Sequence, residues 1–413
     1  MKKNIFFYLF IVFKTCFSQN WQVYSVANSP NPYDSYSHLT IDTNNVKWFV
    51  KIQGIGDKTV AYSGVSNWVS YNNVYNSTLF NCRQTNADLR SLLWLISLDN
   101  KIYSLKAGVW YKYDPVTTGI ANLHGFYDVA IDSKNNKWFC GVNGLAKYND
   151  TLFTLLDTVN SNLPFQPIYK VITDINDDVL IIGAGGLAKL SNNIWEVHPV
   201  PFSVASNIVS DYRMVVDSTN NLWVARGNSG GGLLMFDGVS WTNFIKTNSD
   251  IASDSIYGVD VDQQNKIWCS FLGKGIIKFD GTTWTTYGVL NGYPVSTGSI
   301  EISVDGFGNK WFITGNGVVE FNENGIVGRD DLFMNENNIL IFPNPNNGKF
   351  ELRSNINDRL QSLEIYNILG DRISVVNDIS PLMVFDISNC PSGIYIVKVY
   401  THEGVVCKKI IKE

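Results

Sequence analysis

The chain has 413 residues, of which 45% are hydrophobic, 13% aromatic and only 17% charged, and its formal net charge is −5. This apolar, aromatic-rich composition excludes a disordered chain. The chain has no run of basic residues outside its termini, so its sequence offers no positively charged surface for nucleic acid or anionic membranes. The length suits one large all-β domain and a small second one, because turn-forming residues are spread evenly between apolar runs.

Residues 1–18 have the pattern of a secretory signal peptide. Two lysines precede an apolar run from Ile5 to Phe13, and the Cys-Phe-Ser triplet at 16–18 is a small-x-small cleavage site. We therefore expect the mature chain to begin near Gln19. A lipoprotein signal at Cys16 is the less favoured alternative, since the two residues before it fit poorly. No later stretch is long and apolar enough to span a bilayer, so we do not expect an integral membrane protein.

A repeated unit then fills most of the chain. It reads apolar strand, Asp, Asn-rich turn and aromatic strand, and successive copies are 42 to 46 residues apart. The repeat Asp residues are Asp42, Asp88, Asp132, Asp174, Asp217, Asp262 and Asp305. Six residues after each Asp is a large apolar residue: Trp48, Trp94, Trp138, Leu180, Trp223, Trp268 and Trp311. This period suits the four strands of a propeller blade, so we predict a β-propeller of about seven blades over residues 19–322.

The last repeat is incomplete, and the first segment of the mature chain supplies what it lacks. Four other repeats end in a Trp-x-x-aromatic pattern and two in weaker copies, Phe153/Leu156 and Trp195/His198, whereas the last repeat runs from Phe321 into a polar segment without one. The missing pattern is Trp21 and Tyr24, 21 residues before Asp42 for Trp21. We therefore expect the N-terminal strand to close the last blade, which joins the two ends of the ring.

The repeats resemble the two-component-regulator propeller repeat, roughly D-x-x-G-N-x-W followed by a Gly turn. The nearest copies are Asp217–Gly238, Asp262–Gly281 and Asp305–Phe321. In that family the propeller is often the periplasmic, glycan-sensing part of a membrane sensor kinase. This chain shows no kinase or DNA-binding segment, so the resemblance implies the fold and not the signalling role.

Residues 323–338 are polar and acidic and are predicted to be a linker before a second all-β unit, residues 339–413. Strands are expected near Lys349–Arg353, Leu363–Leu369, Leu382–Ile387, Ile394–Tyr400 and Val405–Ile411. This pattern over some seventy-five residues predicts a small immunoglobulin-like β-sandwich.

Ordered motifs in this unit resemble the C-terminal sorting domain of the type IX secretion system of Bacteroidetes. The residues that carry the resemblance are Pro343, Asn344, Pro345, Gly348, Gly370, Gly393, Tyr395, Lys408 and Lys409. Phe342 stands where the family usually has Tyr. The resemblance implies the type IX machinery as a partner, passage through the periplasm to the outer cell surface or the medium, and removal of this domain.

Motifs that suggest catalysis or metal binding have simpler explanations. Gly227–Gly231 matches a nucleophile elbow and Gly183–Ala188 a dinucleotide loop, yet both fall at hairpins and neither precedes a helix. Asp174–Asp178 spaces oxygens as a calcium loop does but lacks the distal Glu. The four histidines have no metal-ligand spacing. We therefore predict no catalytic residue, metal or cofactor.

Tyrosines recur five residues before the repeat Asp, at Tyr127, Tyr169, Tyr212 and Tyr257. They begin inner strands, so they are expected to ring one mouth of the propeller. Packing between blades is one interpretation; a glycan- or peptide-binding rim is the functional one, since Tyr has an apolar face and a polar tip. Arg226, on a turn at the same end, is the best polar candidate for that rim.

The leading functional hypothesis is a non-enzymatic secreted or cell-surface protein whose propeller binds a glycan or protein. The alternative is a secreted polysaccharide hydrolase or lyase built on the same scaffold.

Overall fold

The computed structural model describes residues 19–326 and 339–413, apart from 32, 34–35, 52–57, 64–67, 73–81, 98–99, 121–122, 202–211, 228–230, 272–274, 289–300, 316, 355–359, 368–369, 378, 381 and 402–403. The predicted signal peptide and residues 327–338 of the predicted linker lie outside this part, as does the middle of the Gly227–Gly231 motif. No α-helix occurs in the described residues, and none of them therefore forms a helix able to cross a membrane.

Seven antiparallel four-stranded sheets form the blades of a β-propeller, as the repeat predicts. Blade 1 contains β2 (His38–Ile41), β3 (Lys47–Lys51), β4 (Lys58–Tyr62) and β5 (Trp68–Asn72), and blade 2 contains β6 (Cys82–Ala87), β7 (Leu93–Ser97), β8 (Ile102–Lys106) and β9 (Val109–Tyr113). Blade 3 contains β10 (Asp128–Ile131), β11 (Lys137–Gly141), β12 (Gly144–Tyr148) and β13 (Phe153–Leu156), and blade 4 contains β14 (Ile168–Thr173), β15 (Val179–Gly183), β16 (Gly186–Ser191) and β17 (Ile194–His198). Blade 5 contains β18 (Arg213–Val216), β19 (Leu222–Ala225), β20 (Leu233–Phe236) and β21 (Trp241–Phe244), and blade 6 contains β22 (Ile256–Val261), β23 (Ile267–Phe271), β24 (Gly275–Phe279) and β25 (Trp284–Tyr287).

Blade 7 is built from both ends of the propeller sequence. Its sheet has the order β1 (Gln19–Tyr24), β28 (Gly317–Ile326), β27 (Lys310–Thr314) and β26 (Glu301–Val304). Trp21 lies opposite Phe321 and Tyr24 opposite Val318. The first strand thus occupies the outer position that the displaced aromatic pattern predicts. Strand β28 continues to Ile326, so residues 323–326 belong to the blade and their assignment to the linker is wrong.

The repeat Asp organises the hairpin between the first two strands of each blade. One carboxylate oxygen accepts backbone N–H groups two and four residues later in all seven turns, for example from Asn44 and Val46 to Asp42, each at 2.9 Å. In six blades the other oxygen accepts the indole N–H of the repeat Trp, at 2.8–3.2 Å. The six-residue spacing therefore satisfies a buried indole donor and a buried carboxylate together. Leu180 has no such donor, and Lys189 and Asn220 bond Asp174 instead.

Hydrogen bonds also join each turn to its neighbour around the whole ring. The fourth residue of most turns is an Asn or Asp at positive φ, and its side-chain oxygen accepts an N–H from the preceding blade, as Asn135 does from Leu89 at 2.8 Å. The contact from Gly306 to Asn45, at 3.0 Å, connects blade 7 to blade 1. The remaining two junctions use the side chains of Thr43 and Gln263. Because each blade packs only on its neighbours, these bonds hold the ring closed at the turn side.

Buried lysines add ionic links between blades. Lys47 of blade 1 lies 2.9 Å from Asp305 of blade 7, and Lys137 of blade 3 lies 3.1 Å from Asp88 of blade 2. Each ammonium group also lies over the repeat Trp of the neighbouring blade, Trp311 or Trp94. Since these charges are almost fully buried, loss of either partner is expected to destabilise the ring strongly.

The C-terminal unit is a sandwich of two antiparallel sheets. One has the order β29 (Ile339–Phe342), β30 (Lys349–Ser354) and β33 (Leu382–Asp386). The other has the order β32 (Arg372–Asn377), β31 (Leu360–Asn367), β34 (Gly393–Thr401) and β35 (Gly404–Lys412). Its core includes Phe350, Leu352, Leu363, Val397 and Ile410, all at most 1% exposed. The sequence predicts five of these strands and misses β29 and β32.

Candidate functional site

One position of the repeat places a residue from each of the seven blades at the centre of the propeller. It lies four residues before the repeat Asp, on the innermost strand of each blade, and we call these residues the central ring: His38, Gln84, Asp128, Lys170, Arg213, Gly258 and Glu301. Six of the seven are polar or charged. No sequence motif marks this ring, because its members share a position in the repeat and not a residue type.

Contacts across the central ring show how close its members are. The Arg213 Nε lies 2.9 Å from the Glu301 carboxylate, although β22 of blade 6 separates their strands. The central-ring residue of blade 6 is Gly258, and because glycine has no side chain, nothing from that residue separates Arg213 from Glu301. A Cβ at Gly258 would lie 2.8 Å from the Ile302 nitrogen, so this close approach also requires glycine. Glu301 further accepts the Leu39 N–H at 2.7 Å.

Lys170 and Asp128 form a second pair of oppositely charged residue types in the central ring. The Lys170 Nζ lies 3.9 Å from the Asp128 carboxylate, and both side chains are less than 10% exposed. Burial raises the pKa of Asp128 and lowers the pKa of Lys170, while each partner opposes the shift of the other. His38, 3.9 Å from Glu301, has its pKa lowered by burial to about 4. His38 is therefore neutral at pH 7, and the other titratable members of the ring are two acidic and two basic side chains.

A cavity of about 160 Å³ adjoins the central ring on the side of blades 2 to 5. Its lining includes Gln84, Asn86, Asp128, Lys170 and Arg213, which together offer amide, carboxylate and cationic groups. The volume is below the range of about 300–1,000 Å³ that is usual for drug-sized ligands. The cavity therefore suits one sugar ring or one side chain of a larger ligand.

The four predicted rim tyrosines are placed differently from one another. Tyr169 is 5% exposed and Tyr212 is 1% exposed, and both belong to the core between blades 4 and 5. Tyr127 is half-buried, with its ring edge-to-face against Tyr169 at 5.2 Å, and Tyr257 is half-buried as well. Two of the four thus have little surface to offer a ligand, and a binding role for the set stays a prediction.

Arg226, the predicted polar residue of the rim, comes together with Tyr212. Its guanidinium interacts with the Tyr212 hydroxyl, and burial lowers the pKa of Arg226. A Cβ on Gly231 would overlap the guanidinium, so that glycine gives Arg226 its space. Arg83 holds the tyrosine position of blade 2, with its guanidinium 4.6 Å from the ring centre of Tyr127. Because blade 2 has Arg where other blades have Tyr, the recurring tyrosines do not point to this cation.

The turn considered as a calcium loop is occupied by a lysine. The Lys189 ammonium lies 2.9 Å from both Asp174 and Asp178. The other oxygen of Asp174 accepts two backbone N–H groups. Among the described residues, no group of three His, Cys, Asp or Glu side chains is arranged to hold a metal ion.

Several of the sorting-signal residues lie on or beside the last strand of the C-terminal sandwich. Asn344 donates to the Lys409 carbonyl and accepts the Ile411 N–H, both at 2.8 Å. Gly348 has φ +101°, and a Cβ there would lie 2.6 Å from the Ser388 Cα. The Tyr395 hydroxyl donates to the Pro391 carbonyl at 2.6 Å. Asn344 therefore attaches the C-terminal strand β35 to the start of the domain, and Tyr395 pairs with Ile410 of the same strand.

Comparison with solved structures identifies similar propellers. The extracellular domain of a hybrid two-component system from Bacteroides thetaiotaomicron has a TM-score of 0.56 at 17% identity, over 95% of this chain and 57% of that one. PorZ, a surface component of the type IX secretion system of Porphyromonas gingivalis, has a TM-score of 0.52 at 13% identity, over 94% and 61%. Virginiamycin B lyase from Staphylococcus aureus has a TM-score of 0.56 at 11% identity, over 73% and 98%.

These likenesses establish the fold, and this chain spans about three-fifths of the length of the first two proteins. No curated protein matches the sequence. Residues 340–413 match the family model of the secretion system C-terminal sorting domain. That match confirms the predicted type IX export to the cell surface or beyond. The chain is thus a seven-bladed β-propeller that carries a C-terminal sorting domain of the type IX secretion family.

Proposed function

We propose that this exported protein is a binding protein whose propeller engages a glycan or protein ligand at its centre. The observation that supports this most is the cavity beside the central ring, where Gln84, Asn86, Asp128, Lys170 and Arg213 converge. Their amide, carboxylate and cationic groups complement the hydroxyls of a sugar or the polar groups of a peptide. Arg226 and the half-buried Tyr127 and Tyr257 are further candidates at the mouth.

The energetic cost of the central ring supports a functional role. Asp128, Lys170 and Glu301 are each 3–6% exposed, and desolvating such charges costs several kcal/mol per ion. Apolar side chains of similar volume are often as stable or more stable at buried sites. Polar groups at the same level in six of seven blades are therefore better explained by ligand recognition than by stability.

An enzyme is the second candidate, and one observation favours it. Burial raises the pKa of Asp128 and lowers the pKa of Lys170, which are the directions that enzymes use to fit a carboxylic acid and an amine for proton transfer to a substrate. A lyase is among the similar propellers. Turnover assays with purified protein on polysaccharides distinguish the two, since a binding protein retains the ligand unchanged and a lyase or hydrolase shortens it.

The binding proposal is tested with arrays of glycans and peptides, using the full chain and two matched variants. Gln84→Met removes a hydrogen-bonding group from the cavity at nearly constant volume and charge. Gln264→Met makes the same change on an exposed turn. We expect Gln84→Met to weaken binding about fivefold, as loss of one hydrogen bond of about 1 kcal/mol does, and Gln264→Met to leave it unchanged. Equal binding by both variants, or no ligand on either array, would overturn the proposal.

A further inference from the structure

A second cavity, of about 200 Å³, opens between blades 2 and 3. It shares no lining residue with the central cavity. Its walls come from strands β7 to β9 of blade 2, the Asp88 turn, and Tyr148 and Asp150 of blade 3. A role for this second cavity is therefore independent of the function proposed for the propeller centre.

Two of the seven blades, blade 1 and blade 2, have a short residue opposite the repeat Trp, and blade 2 has the cavity. In each blade the repeat apolar residue has a cross-strand partner on the third strand, and for Trp94 that partner is Ser104. The partners in the other blades are Ala61, Lys147, Lys189, Met235, Lys278 and Glu320. The Lys147 ammonium lies over the Trp138 ring at 5.0 Å, and the Lys278 ammonium lies over the Trp268 ring at 5.7 Å. The short Ser104 leaves the space beside Trp94 open.

Blade 2 also differs from the other blades on its outer strand, at the residue paired with Ser104. Tyr111 lies opposite Ser104 on the outer strand and is 48% exposed. The equivalent residues in the other blades are Val69, Thr154, Glu196, Thr242, Thr285 and Gln22. Only blade 2 therefore combines a short residue over the repeat Trp with an aromatic ring beside it. Tyr113 and Tyr148, with ring centres 5.6 Å apart, continue the aromatic wall.

Polar groups are held rigidly at the other side of this cavity. The Arg90 guanidinium lies 2.7 Å from the Asp150 carboxylate, and the arginine side chain is 54% exposed. Asp150 is also paired with the fully buried Lys137, which fixes its position. The Tyr148 hydroxyl donates to the Asp150 carbonyl at 3.0 Å. Arg90 therefore presents further N–H donors and Asp150 an acceptor in a preorganised arrangement.

We propose that this pocket is a carbohydrate-binding site that takes one pyranose ring of a glycan. A pyranose has an apolar C–H face, which the exposed ring of Tyr111 matches, and hydroxyls at its edge, which Arg90, Asp150 and Ser104 match. A purely apolar ligand would bury the charges of Arg90 and Asp150 without new partners, at a cost in free energy. A small anion would leave the aromatic wall without contacts.

The test uses saturation-transfer NMR and calorimetric titration of the full chain with three probes: cellohexaose, xylohexaose and hexagalacturonate. Ser104→Lys fills the pocket with the residue that blades 3, 4 and 6 carry at this position, so the fold is expected to tolerate it. Tyr111→Ala removes the aromatic platform. Thr154→Ala, at the equivalent position of blade 3, is the control. Melting curves of all three variants check that each is folded.

We expect at least one probe to bind, Ser104→Lys and Tyr111→Ala each to weaken binding by about tenfold or more, and Thr154→Ala to leave it unchanged. Gln264→Met, on an exposed turn of blade 6, is expected to have no effect on this binding. If none of the three probes binds, or if Ser104→Lys binds as well as the unchanged chain, the proposal is wrong. Loss of binding in Gln84→Met alone would place the sugar at the centre and would likewise exclude this pocket.

Discussion

Ring closure through the first strand makes a direct prediction about stability. Trp21 on β1 is 5% exposed and packs against Phe321, with ring centres 4.2 Å apart, and edge-on against Phe312 at 6.0 Å. Replacing a buried aromatic residue by alanine costs about 3–5 kcal/mol, because contacts are lost and a cavity remains. For a domain of about 300 residues, this corresponds to a melting temperature lower by roughly 5–8 °C. We expect Trp21→Ala to show a decrease of this size.

A control separates closure of the ring from the general loss of an aromatic side chain. Trp241 holds the equivalent position on β21 of blade 5 but is only half-buried, and β21 is joined to its own blade by a short turn. Trp241→Ala is therefore expected to lower the melting temperature less than Trp21→Ala does. Differential scanning calorimetry of both variants, together with a chain lacking residues 19–25, measures the effect. An unchanged melting temperature in Trp21→Ala and in the deletion would refute the closure.

Three further predictions concern particular groups. The pKa of His38 is about 4 in the folded protein and 6.5 in the unfolded chain, so between these pH values only the unfolded chain takes up a proton. The free energy of unfolding is therefore expected to fall by about 3 kcal/mol from pH 6.5 to 4. Urea titrations of His38→Gln should lack this pH-dependent decrease. Lys47→Met leaves the buried Asp305 without its ion pair and is expected to lower the free energy of unfolding by about 3–5 kcal/mol. The control Lys134→Met, at an exposed lysine, is expected to lower it by less than about 0.5 kcal/mol. Chemical denaturation measures both values. Mass spectrometry of exported protein should find its first residue at Gln19, and a retained signal peptide would contradict that expectation.

The sequence predicts the propeller well because the features that determine it are local. The Asp and the Trp six residues later meet across one hairpin, so their spacing is visible without knowledge of the rest of the chain. The closure is also predictable, since a displaced aromatic pattern shows which strand is missing. The structure adds the physical reason for the spacing, a hydrogen bond from the indole to the carboxylate.

The central ring and the second cavity are harder to predict because neither is carried by a recurring residue type. The central ring is a column of different polar residues, and Arg213 reaches Glu301 only because blade 6 has Gly258 between them. The burial of Tyr212 depends on Leu187 and other residues of a neighbouring blade. Comparing every column of the repeat, and not only its motif, would reveal both features. Strand β32 was not predicted because it is an edge strand without a clear apolar face, with Ile373 39% and Val375 46% exposed.

The central claim is that the C-terminal sorting domain carries a folded propeller to the cell surface or beyond, and secretion in a host with the type IX machinery tests it most directly. A chain that ends at Asp331 keeps every described propeller strand and is expected to stay in the periplasm. Residues 330–413 fused to an inert periplasmic protein are expected to carry it outward.

Immunoblots of periplasmic, surface and medium fractions locate each protein, and mass spectrometry finds the ends of the exported chain. Since β28 runs to Ile326, cleavage is expected within residues 327–338. We predict surface or medium localisation for the full chain and the fusion, and periplasmic retention for the truncated chain. A truncated chain at the cell surface, or an exported chain that still ends at Glu413, would contradict the account.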